Sequence, residues 1–204
     1  MPKREHIIKN AIELFAEKGF EGTSIRELAA KANVNVAMVN YYFGSKEKLF
    51  EAMIELKASY MKGIIEELVK DKTKSEIEKI DTIIENYVTR LLSNPNFHRV
   101  LHQEMLMQNR SELNERITGI FLQNTNNFKS IIEQGVRKKI FRKVDPELML
   151  ASIIGTINQV MLSKNMCNIF LQKGKDYDPY TDEKFRNRLL THLKQMTHTY
   201  LLNN

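Results

Sequence analysis

The chain of 204 residues has a single cysteine, only 8 glycines and 4 prolines, and no long apolar run. One cysteine, Cys167, excludes an intrachain disulfide and a cysteine-based zinc motif, and favours a reducing compartment. Few glycines and prolines are typical of long helices. The N-terminal segment does not resemble a signal peptide, and no run approaches the roughly 20 apolar residues of a membrane span. We therefore expect a cytoplasmic, helical protein with no membrane partner.

The charge is only slightly basic, with 31 Lys plus Arg against 25 Asp plus Glu and a net charge of +6. This balance permits an anionic partner but does not demonstrate one. Residues 1–50 carry 8 basic and 6 acidic side chains, a net charge of only +2. A DNA-binding hypothesis must therefore depend on geometry rather than on bulk charge.

No pattern indicates catalysis, because we find no nucleophile with a nearby base, no phosphate-binding glycine loop and no paired carboxylates. His98 and His102 lie four residues apart, a spacing that can chelate a metal. The segment lacks the glutamate of the zinc-protease motif. We therefore favour the interpretation that both histidines either line a pocket or lie on the surface. We expect no catalytic residue, no cofactor and no metal site, and an enzyme is not expected.

Three short helices are predicted at the N-terminus. Apolar residues at helical spacing predict the first, which Gly19 ends. Ser24 and Glu27 form a capping-box pattern at the start of the second. Asn35 is a good N-cap for the third, which we expect from Val36 to Tyr42.

Helical periodicity continues through the rest of the chain, beginning with a long fourth helix that Ser45 caps. Another helix has Asp145 as its cap and is expected to run to about Lys164, and a loop is predicted from Gln172 to Thr181. No segment shows the alternation of apolar and polar residues that would predict a β-strand instead of a helix. The predicted fold class is all-α with about nine helices, divided into a three-helix head (1–50) and a helical body (51–204).

The second and third helices form the arrangement that lays a helix in the major groove of DNA. Val39 and Phe43 can pin the third helix to the core, leaving small and polar residues on its other faces. The phenols of Tyr41 and Tyr42 can reach phosphates or base edges, and Lys46 adds a cation at the next helix start. Aromatic residues at helical spacing are more often core than recognition surface, which is the interpretation we favour for Phe43.

The segment GFEGTSIRELAAKANVNVAMVNYYFGSKEKLF resembles the DNA-binding head of the TetR family of bacterial transcriptional regulators, over roughly residues 5–50. The matches include Tyr41, Phe43 and Lys46 at the family's spacing. Two positions differ, since the family often has glycine where Asn33 stands and tyrosine where Asn40 stands. Asn40 is therefore a candidate for reading a base instead of binding a phosphate.

The resemblance implies a homodimeric repressor that binds a palindromic operator in double-stranded DNA. It also implies a helical body that binds a small-molecule effector, which releases the protein from DNA, and that pairs through its last two helices. Carried over by position, the DNA-contacting residues are Ser24, Arg26, Asn35, Val36, Ala37, Asn40, Tyr41, Tyr42 and Lys46.

The body contains methionine, phenylalanine and amide side chains that suit an adaptable effector pocket, although core packing explains the same residues. No spacing specifies the class of ligand. The alternative function is a DNA-bound scaffold whose body binds another protein, which an exposed apolar patch would favour. The candidate pocket residues are Met105, Phe121, Asn124, Phe128, Met149 and Gln159.

Overall fold

The computed structural model describes residues 2–106 and 111–202. In these ranges it consists of ten α-helices with no strand, apart from one isolated bridge between Phe141 and Leu202, which confirms the predicted all-α class. The helices are α1 (Lys3–Lys18), α2 (Ile25–Lys31), α3 (Val36–Phe43), α4 (Lys46–Lys70), α5 (Glu76–Ser93), α6 (Pro95–Leu106), α7 (Ser111–Arg137), α8 (Pro146–Leu162), α9 (Lys164–Phe170) and α10 (Glu183–Leu201).

The chain divides into two compact units. Unit 1 comprises Met1–Tyr60 and Asn96–Phe121, and unit 2 comprises Met61–Pro95 and Leu122–Asn204. The predicted boundary between a head (1–50) and a body (51–204) stays a prediction.

The core of unit 1 is built around three aromatic rings at the meeting point of α1, α4 and the loop before α2. The ring centroids of Phe15, Phe20 and Phe50 lie 5.3 to 5.7 Å apart. Phe97 of α6 and Ile117 of α7 are buried in the same apolar cluster. The head therefore shares its core with two later segments of the chain.

Local capping determines where the helices of the head begin and end. The Ser24 hydroxyl accepts a hydrogen bond from the backbone of Glu27, and the Glu27 carboxylate accepts one in return from the backbone of Ser24, as the capping-box pattern predicts. Asn35 Oδ1 accepts from the Met38 amide at 2.7 Å at the start of α3. Gly44, with φ of +77°, ends α3 in a conformation that disfavours other residues.

Unit 2 packs α5 against α7, α8 and α10 around a second apolar cluster that includes Ile84, Ile131 and Leu193. A polar seam runs along α5 and α10, in which residues later in α5 meet residues earlier in α10, so the two helices are antiparallel. The pairs of the seam are Asp81 with His198, Glu85 with Lys194, and Thr89 with Arg186.

One helix boundary differs from the prediction. The helix that begins at Pro146 ends at Leu162 instead of continuing to about Lys164, and a separate helix, α9, follows. Ser163 leaves the helical conformation, with φ of −138° and ψ of 87°, and its hydroxyl accepts from the Met166 amide. Because Ser163 caps the first turn of α9, it divides the single helix predicted from the apolar pattern into α8 and α9. The described residues therefore form ten helices instead of about nine.

Candidate nucleic-acid interface

The turn between α2 and α3 depends on Asn33, which has a φ of +50°. Its amide donates to the carbonyl of Ala30 at 3.1 Å, and the Val34 amide donates to the carbonyl of Ala29 at 2.9 Å. These are the two hydrogen bonds of a Schellman helix end, in which glycine is usual and asparagine is tolerated. Asn33 therefore forms the tight turn at the position where the resemblance leads one to expect glycine.

Two contacts from α1 hold this turn and α3. Nε2 of His6 lies 3.0 Å from the carbonyl oxygen of Ala32, and the Arg4 guanidinium lies 5.5 Å from the ring centroid of Phe43. Sequence analysis did not identify His6, because its partner lies 26 residues away and no local pattern signals the contact.

The outward face of α3 consists of Ala37, Asn40 and Tyr41, which lie at positions i, i+3 and i+4 and are all exposed. Tyr41 is 84% exposed, and its ring meets that of Tyr42 edge-on at 5.3 Å. Val39 and Phe43 are buried against α1 and α2, as predicted. The structure therefore brings together a small side chain, a carboxamide and a phenol on one solvent-facing surface.

The other candidates surround this face. Arg26 is exposed on α2, and Val36 is half-buried at the start of α3. The Ser24 hydroxyl is exposed and donates to Glu27 Oε2 at 2.8 Å. The pKa of Glu27 is lowered to about 2, first by the hydrogen bond from Lys18 and then by those from Ser24. Glu27 thus remains ionised and keeps the capping box intact near neutral pH.

Lys46 is more enclosed than expected for a simple phosphate ligand, with its side chain 18% exposed. Its ammonium donates to the carbonyls of Phe20 at 2.8 Å and Thr23 at 3.0 Å, and lies 4.4 Å from the Phe20 ring centroid. Burial raises the pKa of Glu104 in α6, and the charge of Lys46 opposes this shift. Lys46 therefore fixes the loop that leads into α2, and its ammonium also lies 3.9 Å from a carboxylate oxygen of the exposed Glu21.

The six candidate effector residues are distributed over both units, and their grouping in one pocket stays a prediction. Met105 and Phe121 belong to unit 1, and the other four to unit 2. Phe128 and Met149 are core residues, 2% and 4% exposed, and Gln159 is exposed. Asn124 is half-buried, and its Oδ1 has no hydrogen-bond partner among the described residues.

Three other features of unit 2 are relevant to a ligand. A cavity of about 500 Å³ lies between α8 and α10, and of the six candidates it includes Met149. Burial raises the pKa of the Tyr87 phenol in α5 to about 12. The amide nitrogen of Asn127, one turn after Asn124, is also buried without a partner among the described residues.

Within residues 2–106 and 111–202, every helix is too short or too polar to span a lipid bilayer. Over the same residues, no group of three or more His, Cys, Asp or Glu side chains is placed to hold a metal ion. The ring of His98 lies edge-on to that of Phe97, with centroids 5.0 Å apart.

The short helices, the turn and the outward face of α3 define a helix-turn-helix DNA-binding protein. A sequence model described as bacterial regulatory proteins, tetR family, matches residues 7–53, and one described as tetracyclin repressor-like, C-terminal domain, matches residues 73–162. The transcriptional repressor NicS of Pseudomonas putida is 30% identical over 162 residues, which make up 74% of this chain and 73% of NicS. The chain belongs to the TetR family of bacterial transcriptional regulators.

Two further comparisons concern fatty-acid regulators. The fatty acid metabolism regulator protein of Bacillus subtilis is 27% identical over 161 residues, covering 78% of this chain and 82% of that protein. The crystal structure of FadR from Bacillus subtilis in complex with stearoyl-CoA has a TM-score of 0.71 at 24% identity, covering 93% of this chain and 96% of the other. This likeness extends the shared fold to nearly the whole chain.

Proposed function

We propose that the protein is a cytoplasmic repressor that binds a palindromic operator as a homodimer and is released by a small-molecule effector. The observation that carries this proposal is the outward face of α3, where Ala37, Asn40 and Tyr41 are exposed on a helix that Val39 and Phe43 fix from the other side. In this geometry α3 enters the major groove, while Ser24, Arg26 and Tyr42 contact the DNA backbone.

A homodimer is supported by the exposed face of α8. Between Glu147 and Lys164 the sequence has no charged residue, although one side of this helix faces solvent. Leu148 and Leu162 on that side are 65% and 43% exposed. An uncharged, exposed helix face favours burial against a second copy, and a two-fold axis would set the α3 helices about 34 to 36 Å apart. The face consists of Leu148, Ala151, Ser152, Gly155, Gln159 and Leu162.

The proposed effector is an amphipathic molecule of the acyl-CoA class. FadR, which shares the fold, was crystallised with stearoyl-CoA. In unit 2, the buried Oδ1 of Asn124 and Nδ2 of Asn127 have no hydrogen-bond partner among the described residues, which supports a ligand with polar groups. A buried amide that lacks a partner costs about 1–3 kcal/mol, which a ligand with amide or hydroxyl groups would offset. The effector shifts the population away from the DNA-binding state only if it binds the two states unequally.

The effector class is tested by adding stearoyl-CoA, free coenzyme A and stearate separately to the protein bound to its operator. We expect stearoyl-CoA to reduce DNA binding, and the other two to have weaker effects because each lacks one half of the amphipathic molecule. Asn124→Leu should weaken the response to stearoyl-CoA while leaving DNA affinity in its absence unchanged. No effect of any of the three compounds would reject the acyl-CoA class.

The alternative function, a DNA-bound scaffold, gains some support from α9, where Ile169 and Phe170 are 65% and 63% exposed. Because α9 directly follows the exposed face of α8, a second copy of this chain accounts for both surfaces with one partner. Light scattering at micromolar concentration separates the two proposals. A dimer supports the repressor, and a monomer on operator DNA with these residues uncovered would favour the scaffold.

A further inference from the structure

Asn40 lies on the outward face of α3, one turn after Ala37 and next to Tyr41. Its side chain is exposed, and its carboxamide makes no hydrogen bond to another described residue. Both the amide hydrogens and the carbonyl oxygen of this side chain are therefore available to a ligand.

The neighbouring side chains differ from Asn40 in this respect. Asn35 also carries a carboxamide, but its Oδ1 accepts from the Met38 amide at 2.7 Å and caps the helix. Ala37 has no polar group, and Tyr41 has a single hydroxyl at the end of a long ring. Asn40 thus combines a free donor with a free acceptor in one short, planar group on this face.

Only one base presents the matching pair of groups in the major groove. Adenine has the N7 acceptor beside the N6 donor, whereas guanine shows two acceptors, cytosine one donor and thymine one acceptor with a methyl group. A carboxamide can therefore form two hydrogen bonds to adenine and fewer to the other bases. The methyl group of Ala37 on the preceding turn allows the backbone of α3 to approach the groove closely enough for a short side chain to reach.

We propose that Asn40 determines specificity by binding the N6 and N7 positions of one adenine in each operator half-site. The proposal rests on the proposed function, in which α3 enters the major groove. It assigns base recognition to Asn40, so the operator of this protein should require an A·T pair that Asn40 contacts.

The test begins with selection of bound duplexes by the full-length protein, which gives the half-site. Each adenine of one half-site is then replaced in turn by 7-deazaadenine, which lacks the N7 acceptor. We expect one position at which the wild-type protein loses about 2- to 10-fold in affinity, because only the hydrogen bond to N7 is removed and the one from N6 remains. Asn40→Ala should bind the normal operator more weakly and lose nothing further at that position.

Tyr41→Phe is the matched control, because it removes a polar group from the same face and keeps the carboxamide. It should retain the full sensitivity to 7-deazaadenine. Asn40→Ala should fold normally, since the site is exposed and alanine is the better helix former. Equal sensitivity of wild type and Asn40→Ala at every adenine would overturn the proposal. Failure to select any sequence would instead reject the operator on which it rests.

Discussion

At the residue scale, Lys46 has a structural role and a proposed contact with a DNA phosphate. Its ammonium binds the carbonyls of Phe20 and Thr23, and these contacts hold the loop before α2 regardless of whether DNA is present. The ammonium of a lysine has three donors, and the third lies 3.9 Å from the exposed Glu21 carboxylate, which a phosphate would displace. The structural role and the predicted phosphate contact can be measured separately.

We expect Lys46→Ala to lower the free energy of unfolding by about 1–3 kcal/mol, because hydrogen bonds from a charged donor are lost. Urea denaturation measures this, with the exposed neighbour Lys48→Ala as the control that should change little. Equal stability of the two variants would contradict the structural role.

Lys46→Ala should also bind all DNA sequences more weakly. The slope of log affinity against log salt concentration should be flatter by about one, and an unchanged slope would reject the phosphate contact.

The backbone of Asn33 gives a second prediction. Its φ of +50° lies in the left-handed region, which glycine adopts freely, asparagine tolerates and most other residues disfavour. Asn33→Ala should destabilise the protein by about 1 kcal/mol, whereas Asn33→Gly should be neutral or slightly stabilising. Chemical denaturation of the two variants side by side checks the difference. The same midpoint for both would mean that the turn conformation costs nothing.

At the element scale, α2 and α5 begin with the same capping box, Ser24 with Glu27 in unit 1 and Ser75 with Glu78 in unit 2. Ser24→Ala and Ser75→Ala should each cost about 1 kcal/mol of stability, because each removes one cap. Only Ser24→Ala should also weaken operator binding, since Ser24 is proposed to contact the DNA backbone. Equal operator affinity for the two variants would show that Ser24 does not contact the DNA.

Local signals explain why most helices were predictable. Ser24, Asn35 and Asp145 cap helices through contacts within three residues, and these are visible in the sequence. The contacts of His6 with Ala32 and of Lys46 with Phe20 each span 26 residues and depend on packing between helices. No local pattern indicates them.

The exposure of the outward face of α3 was predictable from the sequence, whereas the effector residues stay a prediction, for a physical reason. Helical spacing distinguishes the buried face of α3 from the exposed face, which is sufficient for a surface site. An internal pocket requires knowing which residues of a buried face touch one another and which border a cavity. Apolar spacing cannot separate these, since Phe128 and Met149 are both buried in the same cluster and Met149 also borders the cavity between α8 and α10.

At the scale of the whole molecule, the proposed dimer can be tested at Gly155, which is exposed on α8 and has no atom within 4 Å of an added Cβ. Gly155→Lys should leave the single chain folded but give a monomer, because it places a charge in the proposed interface. Gly119→Lys is the control, since this glycine of α7 is also exposed with open space. Light scattering should find the control dimeric, and a dimeric Gly155→Lys would place the interface elsewhere.

Sequence-specific operator binding is tested by selecting bound sequences from a random duplex pool, with wild type and Tyr41→Ala compared at fixed salt. Tyr41 is 84% exposed, so its removal should leave stability within about 0.5 kcal/mol of wild type. We predict that wild type enriches a palindrome and that Tyr41→Ala loses it. If neither protein enriches a sequence, the protein is not a sequence-specific dimeric repressor.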